Sequence, residues 1–263
     1  MLELFLYFLL GVFSGILAGL FGIGGGIIII PVFFSIFKNL VGVPEVALAH
    51  TVLGTSLGVI VFSSLASTYS HNKRKAVIWS ALKVIAPSIC VGAALGAVTA
   101  SYIASSTLQV LVAIFLVVIS IQMIFEFPPP KQNPKTNIVG PVVVGSGIGW
   151  LSGIFGIGGG VFSVPYFYHR GLKMTQAIGS SAACGVPIAI SGSISYMIVG
   201  SNISNLPEYS LGYVYLPGAI IVGLASAWSA IVGVRAAHRL KQKKLRLAFA
   251  ILLMIMGLNL LLR

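Results

Sequence analysis

Carboxylates are almost missing from this 263-residue chain: it has no aspartate and four glutamates, Glu3, Glu45, Glu126 and Glu208, each near the end of an apolar segment. That scarcity removes the paired carboxylates that much acid–base chemistry needs, and it weakens any carboxylate proton relay inside a membrane. Charged residues of both signs reach only 8%, against about 25% in soluble domains, so a water-soluble globule is excluded. The two cysteines, Cys90 and Cys184, lie in apolar runs without metal-ligand spacing and read as small core residues. No metal and no cofactor are expected. The stretch FGIGGG is not a dinucleotide fingerprint, because Ile27 stands where the third glycine would fall after Gly22 and Gly24, and no Lys-Ser/Thr follows for a phosphate loop. No Ser/His/Asp set can be assembled either, so the chain is not expected to be an enzyme.

What is present is apolar surface and glycine. Hydrophobic residues make up 57% of the chain, which fits a protein that crosses a membrane several times. The net charge of +12 resides in short loops between apolar segments. That distribution matches the positive-inside rule and gives no footing for a nucleic-acid partner. The N-terminus carries Glu3 where a signal peptide would be basic, and its apolar run belongs to a repeated element, so it is expected to be retained.

That element occurs twice. Gly15 to Phe33 reads GILAGLFGIGGGIIIIPVF and Gly149 to Phe167 reads GWLSGIFGIGGGVFSVPYF. Four glycines in five residues disfavour a continuous helix, since each costs about 1 kcal/mol against alanine. The apolar flanks place this break at membrane depth, where non-helical backbone survives only if protein buries it or it lines a wet cavity. A half-helix starting at Gly26 or Gly160 turns free N–H groups and a positive dipole end toward that place, which suits an anion. Glycine-interrupted segments at matching positions of two halves also point to a transporter's binding site. Ahead of each break, Gly11, Gly15 and Gly19, and again Gly145, Gly149 and Gly153, lie on one helical face, where small residues allow close helix packing in lipid.

Ile27–Phe37 is too short to span about 20 residues' worth of bilayer and reads as a return leg. Crossings are expected at 46–69, 76–102, 108–125, 177–199, 211–234 and 247–262, with a second broken element at 138–155 and 161–168. Lysine and arginine gather at 73–75, 131–135, 170–173 and 235–246, whereas 101–107 and 200–210 have none. If the basic connections are cytoplasmic, the crossings alternate only when each broken element enters and leaves on one side. The expected fold is therefore an all-α polytopic membrane protein of two inverted repeats, each a glycine-broken helical hairpin plus three transmembrane helices. The first repeat is 1–126, a proline-rich cytoplasmic linker is 127–137, and the second repeat is 138–263. Both termini are expected outside the cell membrane.

Each broken element is followed by hydroxyls on a helix, Thr55 and Ser56 in the first copy and Ser180 and Ser181 in the second. These can bond an oxyanion or their own helix carbonyls four residues back. His50, one turn before Thr55, is a candidate proton or anion contact or an interfacial residue. Lys83 is expected to snorkel, and His71 to be solvated in the basic loop.

The duplicated GLFGIGGG and GIFGIGGG, GTSLGVI at Gly54–Ile60, HNKRKAV at His71–Val77 and AIGSSAACGVP at Ala177–Pro187 together resemble the TauE/SafE family of sulfite exporters over essentially the whole chain. Lys75 departs from it where members often have glycine, and Ser180 where they often have threonine. The resemblance implies small sulfur-containing anions, such as sulfite or organosulfonates, moving across a cytoplasmic membrane, usually outward. The reading is a secondary transporter working by alternating access. Gly24, Gly25, Gly26, Gly158, Gly159 and Gly160 would supply amides to the anion, completed by Thr55, Ser56, Ser180 and Ser181. An anion channel and a proton-coupled uptake permease are the alternatives. The partners expected are the anion and the lipid bilayer, and a homo-oligomer is compatible with this reading.

Overall fold

The computed structural model describes residues 2–22, 24–125, 139–237 and 242–262; the linker expected at 127–137 lies outside them. Among the described residues there are ten α-helices, in two runs of five with matching order. The first five are α1 (Leu2–Phe21), α2 (Gly26–Ile36), α3 (Glu45–Lys73), α4 (Trp79–Ser101) and α5 (Ser105–Phe125). Their counterparts are α6 (Val139–Phe155), α7 (Gly160–His169), α8 (Met174–Val199), α9 (Leu216–Ala237) and α10 (Gln242–Leu261). Among the described residues, six helices are long and apolar enough to cross a membrane: α1, α3, α4, α5, α8 and α9.

The helices are broken where the glycines fall. Gly25 and Gly159 precede α2 and α7 with φ of 79° and 72°, a left-handed conformation that glycine adopts without a Cβ penalty. The return legs are 11 and 10 residues long, and α2 runs on into a single wide turn, Phe37–Val41. The expected crossing at 211–234 begins later, at Leu216, because Ser210–Leu211 and Val214–Tyr215 pair as a short antiparallel hairpin (β1, β2).

Packing joins the two halves rather than building each separately. Gly11 and Gly19 of α1 fit against Val222–Ala225 and Ala230–Val234 of α9, while Gly149 and Gly153 of α6 fit against Ile89–Ala93 and Ala93–Ala97 of α4. Both pairs run parallel, first helix of one half against fourth of the other. Third helices pack on each other antiparallel: Gly54 meets Tyr196, Leu57 meets Gly192, and Ser64 meets Gly185. Fifth helices do the same, with the Ser120 hydroxyl donating to the Ala250 carbonyl at 2.6 Å and Gln109 approaching the Leu260 carbonyl. Small residues dominate these seams because, in lipid, close van der Waals approach must drive helix association.

Two polar residues at and just beyond the end of α3 are set by the backbone around them, and one of them, His71, differs from expectation. His71 is not solvated; it is 1% exposed, and its Nε2 lies 3.3 Å from the Gly19 carbonyl oxygen of α1. Lys75 takes a φ of 56°, a left-handed turn that costs a side-chain-bearing residue about 1–2 kcal/mol and gives the physical reason glycine serves well there.

The seams give a direct expectation. A Cβ at Gly149 would collide with the Ile89 carbonyl, whereas one at Gly147 meets nothing within 4 Å. Gly149→Val should lose most folded protein in detergent thermal melts, by about 1–3 kcal/mol or more, while Gly147→Val should melt like the parent.

Candidate functional site

The two breaks meet. A Cβ on Gly24 would lie 3.3 Å from the Gly158 Cα, and one on Gly26 would lie 3.0 Å from the Gly156 carbonyl oxygen. Gly24 and Gly158 are counterparts, 134 positions apart like Gly15 and Gly149, so equivalent positions of the repeated motif touch. The depth of this crossing is set by α3. Ser63 Oγ donates to the Gly24 carbonyl at 2.9 Å and Ser56 Oγ to the Gly156 carbonyl at 2.8 Å. Ser56 and Ser63 bracket the middle of the 29-residue α3, which places the crossing at its mid-height.

Every described glycine of the breaks is buried. The amides of Gly24, Gly25, Gly26, Gly158, Gly159 and Gly160 donate to no protein acceptor among the described residues. The carbonyls beside them are taken: Gly25 accepts from Ile28 and Ile29, and Gly159 from Phe162 and Ser163. An unpaired buried donor costs about 1–3 kcal/mol, and buried amides without partners are rare enough to need an explanation.

The four sequence-designated hydroxyls all lie at the seam, and each bonds across it to the opposite half. Thr55 Oγ1 accepts from the Tyr215 amide at 2.9 Å and Ser180 Oγ from the Ile78 amide at 3.0 Å. These amides lie just before α9 and α4, so each hydroxyl satisfies a donor at the entrance to the other half's fourth helix. Ser56 donates to Gly156, and Ser181 donates to Gly22 at 3.2 Å. The bonds form two counterpart pairs. None of the four bonds its own helix, as Thr51 does to the Ala47 carbonyl.

Sequence reasoning missed Ser63 and Ser163. Ser163 Oγ lies 2.7 Å from Ser181 Oγ and 3.0 Å from the Gly159 carbonyl, linking the second break to the hydroxyl that holds the first. The signal for Ser63 was its place two helical turns after Ser56, on the same face.

His50 stands apart from the crossing. Its Nε2 lies 3.1 Å from both the Ala100 and Ile103 carbonyl oxygens, tying the start of α3 to the end of α4, and its ring stacks on Tyr213 at 4.9 Å. Around it, Tyr196 meets Tyr213 edge-on, and Phe37 stacks on Phe33 and meets Tyr215. Burial raises the Tyr213 phenol above its ordinary pKa; burial and then the Glu3 charge do the same to Tyr215. Both rings are therefore neutral, and this aromatic layer brings no charge to the site.

Comparison with known proteins bears on the chain as a whole. Residues 7–260 match the family model described as "Sulfite exporter TauE/SafE". A Haemophilus influenzae protein named "Probable membrane transporter protein" is 34% identical over 97% of both chains. A similarly named Methanocaldococcus jannaschii protein is 32% identical over 100% of this chain and 97% of its own. The Bacillus subtilis "Probable membrane transporter protein YdhB" is 28% identical over 76% of this chain and 80% of its own. No solved structure matches. With broken helices meeting at mid-height, several apolar crossings and a family match over nearly its full length, this chain is a membrane transporter protein that belongs to the sulfite exporter TauE/SafE family.

Proposed function

We propose that the protein is a secondary transporter for a small sulfur-containing oxyanion, sulfite or an organosulfonate, which binds where the two glycine breaks meet. The observation that carries this reading is the set of six buried glycine amides that, among the described residues, have no protein acceptor, at two touching half-helix starts. A sulfo-oxyanion offers several acceptor oxygens around one centre, which matches amides arriving from two sides. Each helix end contributes about 0.3–2 kcal/mol toward the anion, weak enough for release. Ser56 and Ser181 donate their only protons to break carbonyls. They join the anion's shell by exchanging those carbonyls for the ligand as the halves shift. Thr55 and Ser180 hold the fourth helices while this happens.

The halves are read as inverted repeats, a reading supported by counterpart helices α3 and α8, and α5 and α10, running antiparallel. With the basic connections cytoplasmic, both termini lie outside. Alternating access is then one half rocking on the other across the Ser–Gly ties. An inside-negative membrane assists anion export by about 2.3 kcal/mol per charge per 100 mV, so export needs no coupled ion. That energetic asymmetry and the scarcity of carboxylates favour the outward direction at the cell membrane.

Two measurements test this. A Cβ at Gly26 would reach the flexible tip of Ile60 at 2.7 Å and stand between the breaks. Gly26→Ala should therefore keep a parental melting profile yet weaken sulfoacetate or sulfite binding to the purified protein by at least about tenfold, which corresponds to about 1.4 kcal/mol. Parental affinity in the folded variant would move the site elsewhere. Exposed Ser106 and Lys73 report the orientation. In intact cells Ser106→Cys should react with an impermeant thiol reagent and Lys73→Cys only after permeabilisation; the reverse pattern would invert the topology.

A further inference from the structure

The connections that lead into the two fourth helices, α4 and α9, repeat a backbone path but not its side chains. The Tyr215 amide donates to Thr55 and the Ile78 amide to Ser180. Two residues earlier, the Tyr213 amide donates to the Tyr196 carbonyl at 3.2 Å and the Ala76 amide to the His71 carbonyl at 3.1 Å. The Tyr213 carbonyl would lie 2.6 Å from a Cβ on Gly54, and the Ala76 carbonyl 2.7 Å from one on Gly179. Every partner here is the counterpart of the other: Gly54, Thr55 and His71 precede Gly179, Ser180 and Tyr196 by 125 positions. Tyrosines therefore stand on one face of the protein where alanine and isoleucine stand on the other.

The tyrosines join a closed layer of rings. Tyr213 meets Tyr196 edge-on with centroids 6.4 Å apart, and Tyr215 meets Phe37 edge-on at 5.6 Å. A Cβ on Gly218 would touch the Tyr215 ring at 3.3 Å, the Thr55 methyl at 3.4 Å and the Phe37 ring at 3.5 Å, so the rings close directly over Thr55. The counterpart of Phe37 is Gly171. Phe33, which stacks on Phe37, has a phenylalanine counterpart in Phe167; the difference between the faces begins at the connections.

This layer is seated at a cost. Tyr209, which leads into the hairpin, takes a φ of 65°, a left-handed conformation that a side chain disfavours. The neighbouring Ser210 Oγ is buried without a hydrogen-bond partner. His50 stacks on Tyr213, and its Nε2 faces the Ala100 and Ile103 carbonyls. Carbonyls only accept, so Nε2 carries the proton, and Nδ1 is left buried with no partner. Unsatisfied polar atoms of this kind are rare in permanent packing and call for an explanation. Lifting the hairpin would relax Tyr209 and let water reach both Ser210 and His50.

We propose that the Ser210–Tyr215 hairpin is the transporter's gate on the face read as outer, and that Tyr213 and Tyr215 are the rings a passing substrate must displace. The closed layer separates the glycine crossing from that face, and the costs of seating it keep it ready to open. Because Thr55 holds the Tyr215 amide, opening is tied to movement at the start of α9. That the passing guest is an anion rests on the transporter reading above; the gate itself rests on the ring layer and the hairpin.

Leu53, 0% exposed, reports the gate, because its Cα would lie 2.9 Å from a Cβ on Gly156 of the second break. The test uses the full chain carrying Cys90→Ala, Cys184→Ala and Leu53→Cys, in vesicles of both orientations, with a charged impermeant maleimide and sulfoacetate as the anionic probe. Adding Tyr213→Ala should speed labelling at least about tenfold from the face where Ser106→Cys reacts, and not from the other; Tyr213→Phe should label like the parent hairpin. Sulfoacetate should slow the reaction. Faster labelling that sulfoacetate leaves unchanged would keep the gate and overturn the anion reading. An unchanged rate in folded Tyr213→Ala, or one raised equally from both faces, would overturn the gate. Hydrogen exchange in the parent chain needs no substitution: after correction for intrinsic rates, the Tyr213 and Tyr215 amides should exchange at least about tenfold faster than the equally bonded Ala76 and Ile78 amides. Exchange no faster than at these counterparts would overturn the gate as well.

Discussion

The structure depends on how a broken backbone is satisfied far from water. Within a membrane every unpaired N–H or C=O group is expensive, so a helix can be interrupted only where something else completes its bonds. Here the carbonyls exposed by the two breaks are completed by serines from neighbouring helices: Ser63 on Gly24, Ser56 on Gly156 and Ser181 on Gly22. Two of these three bonds cross between the halves. The amides are treated differently, since none of the six has a protein acceptor among the described residues. The protein thus answers the negative ends of its broken backbone with hydroxyls and leaves the positive ends open. That selectivity is the physical ground on which the proposal of an anionic guest rests.

The same bonds explain why the halves need each other. Parallel glycine seams join α1 to α9 and α6 to α4, and antiparallel seams join α3 to α8 and α5 to α10. Each seam takes one helix from each half. A rocking motion in such an assembly must exchange short polar ties while sliding over small residues, which is cheaper than tearing interlocked large side chains apart. Short serine bonds of this kind are each worth about 0.5–1.5 kcal/mol net, a scale comparable with one helix-end interaction with a charge.

Much of this was legible in the sequence because it is written in local chemistry. Four glycines in five residues forbid a helix wherever they fall, and their repetition with Pro31 and Pro165 downstream located both breaks and both return legs. The spacing of Gly11, Gly15 and Gly19 announced a close seam. What could not be read were the partners. Ser56 and Gly156 are 100 residues apart, and Thr55 and Tyr215 are 160; only the register between halves decides that these hydroxyls reach across rather than back along their own helix. His71 misled for a related reason, since its neighbours Asn72, Lys73 and Arg74 are exposed while the imidazole itself turns inward to the Gly19 carbonyl. The hairpin at Ser210–Tyr215 delayed a helix that hydropathy alone would have begun at Leu211.

The central claim is that the open amides of two meeting half-helices hold an oxyanion. Selenite, a heavier analogue of sulfite with a strong anomalous signal, addresses it most directly in crystals of the purified protein. The account predicts an anomalous peak within hydrogen-bonding reach of the Gly24–Gly26 and Gly158–Gly160 amides, displaced by added sulfite. A peak bound reproducibly elsewhere, with the glycine crossing unoccupied at saturating selenite, would contradict it.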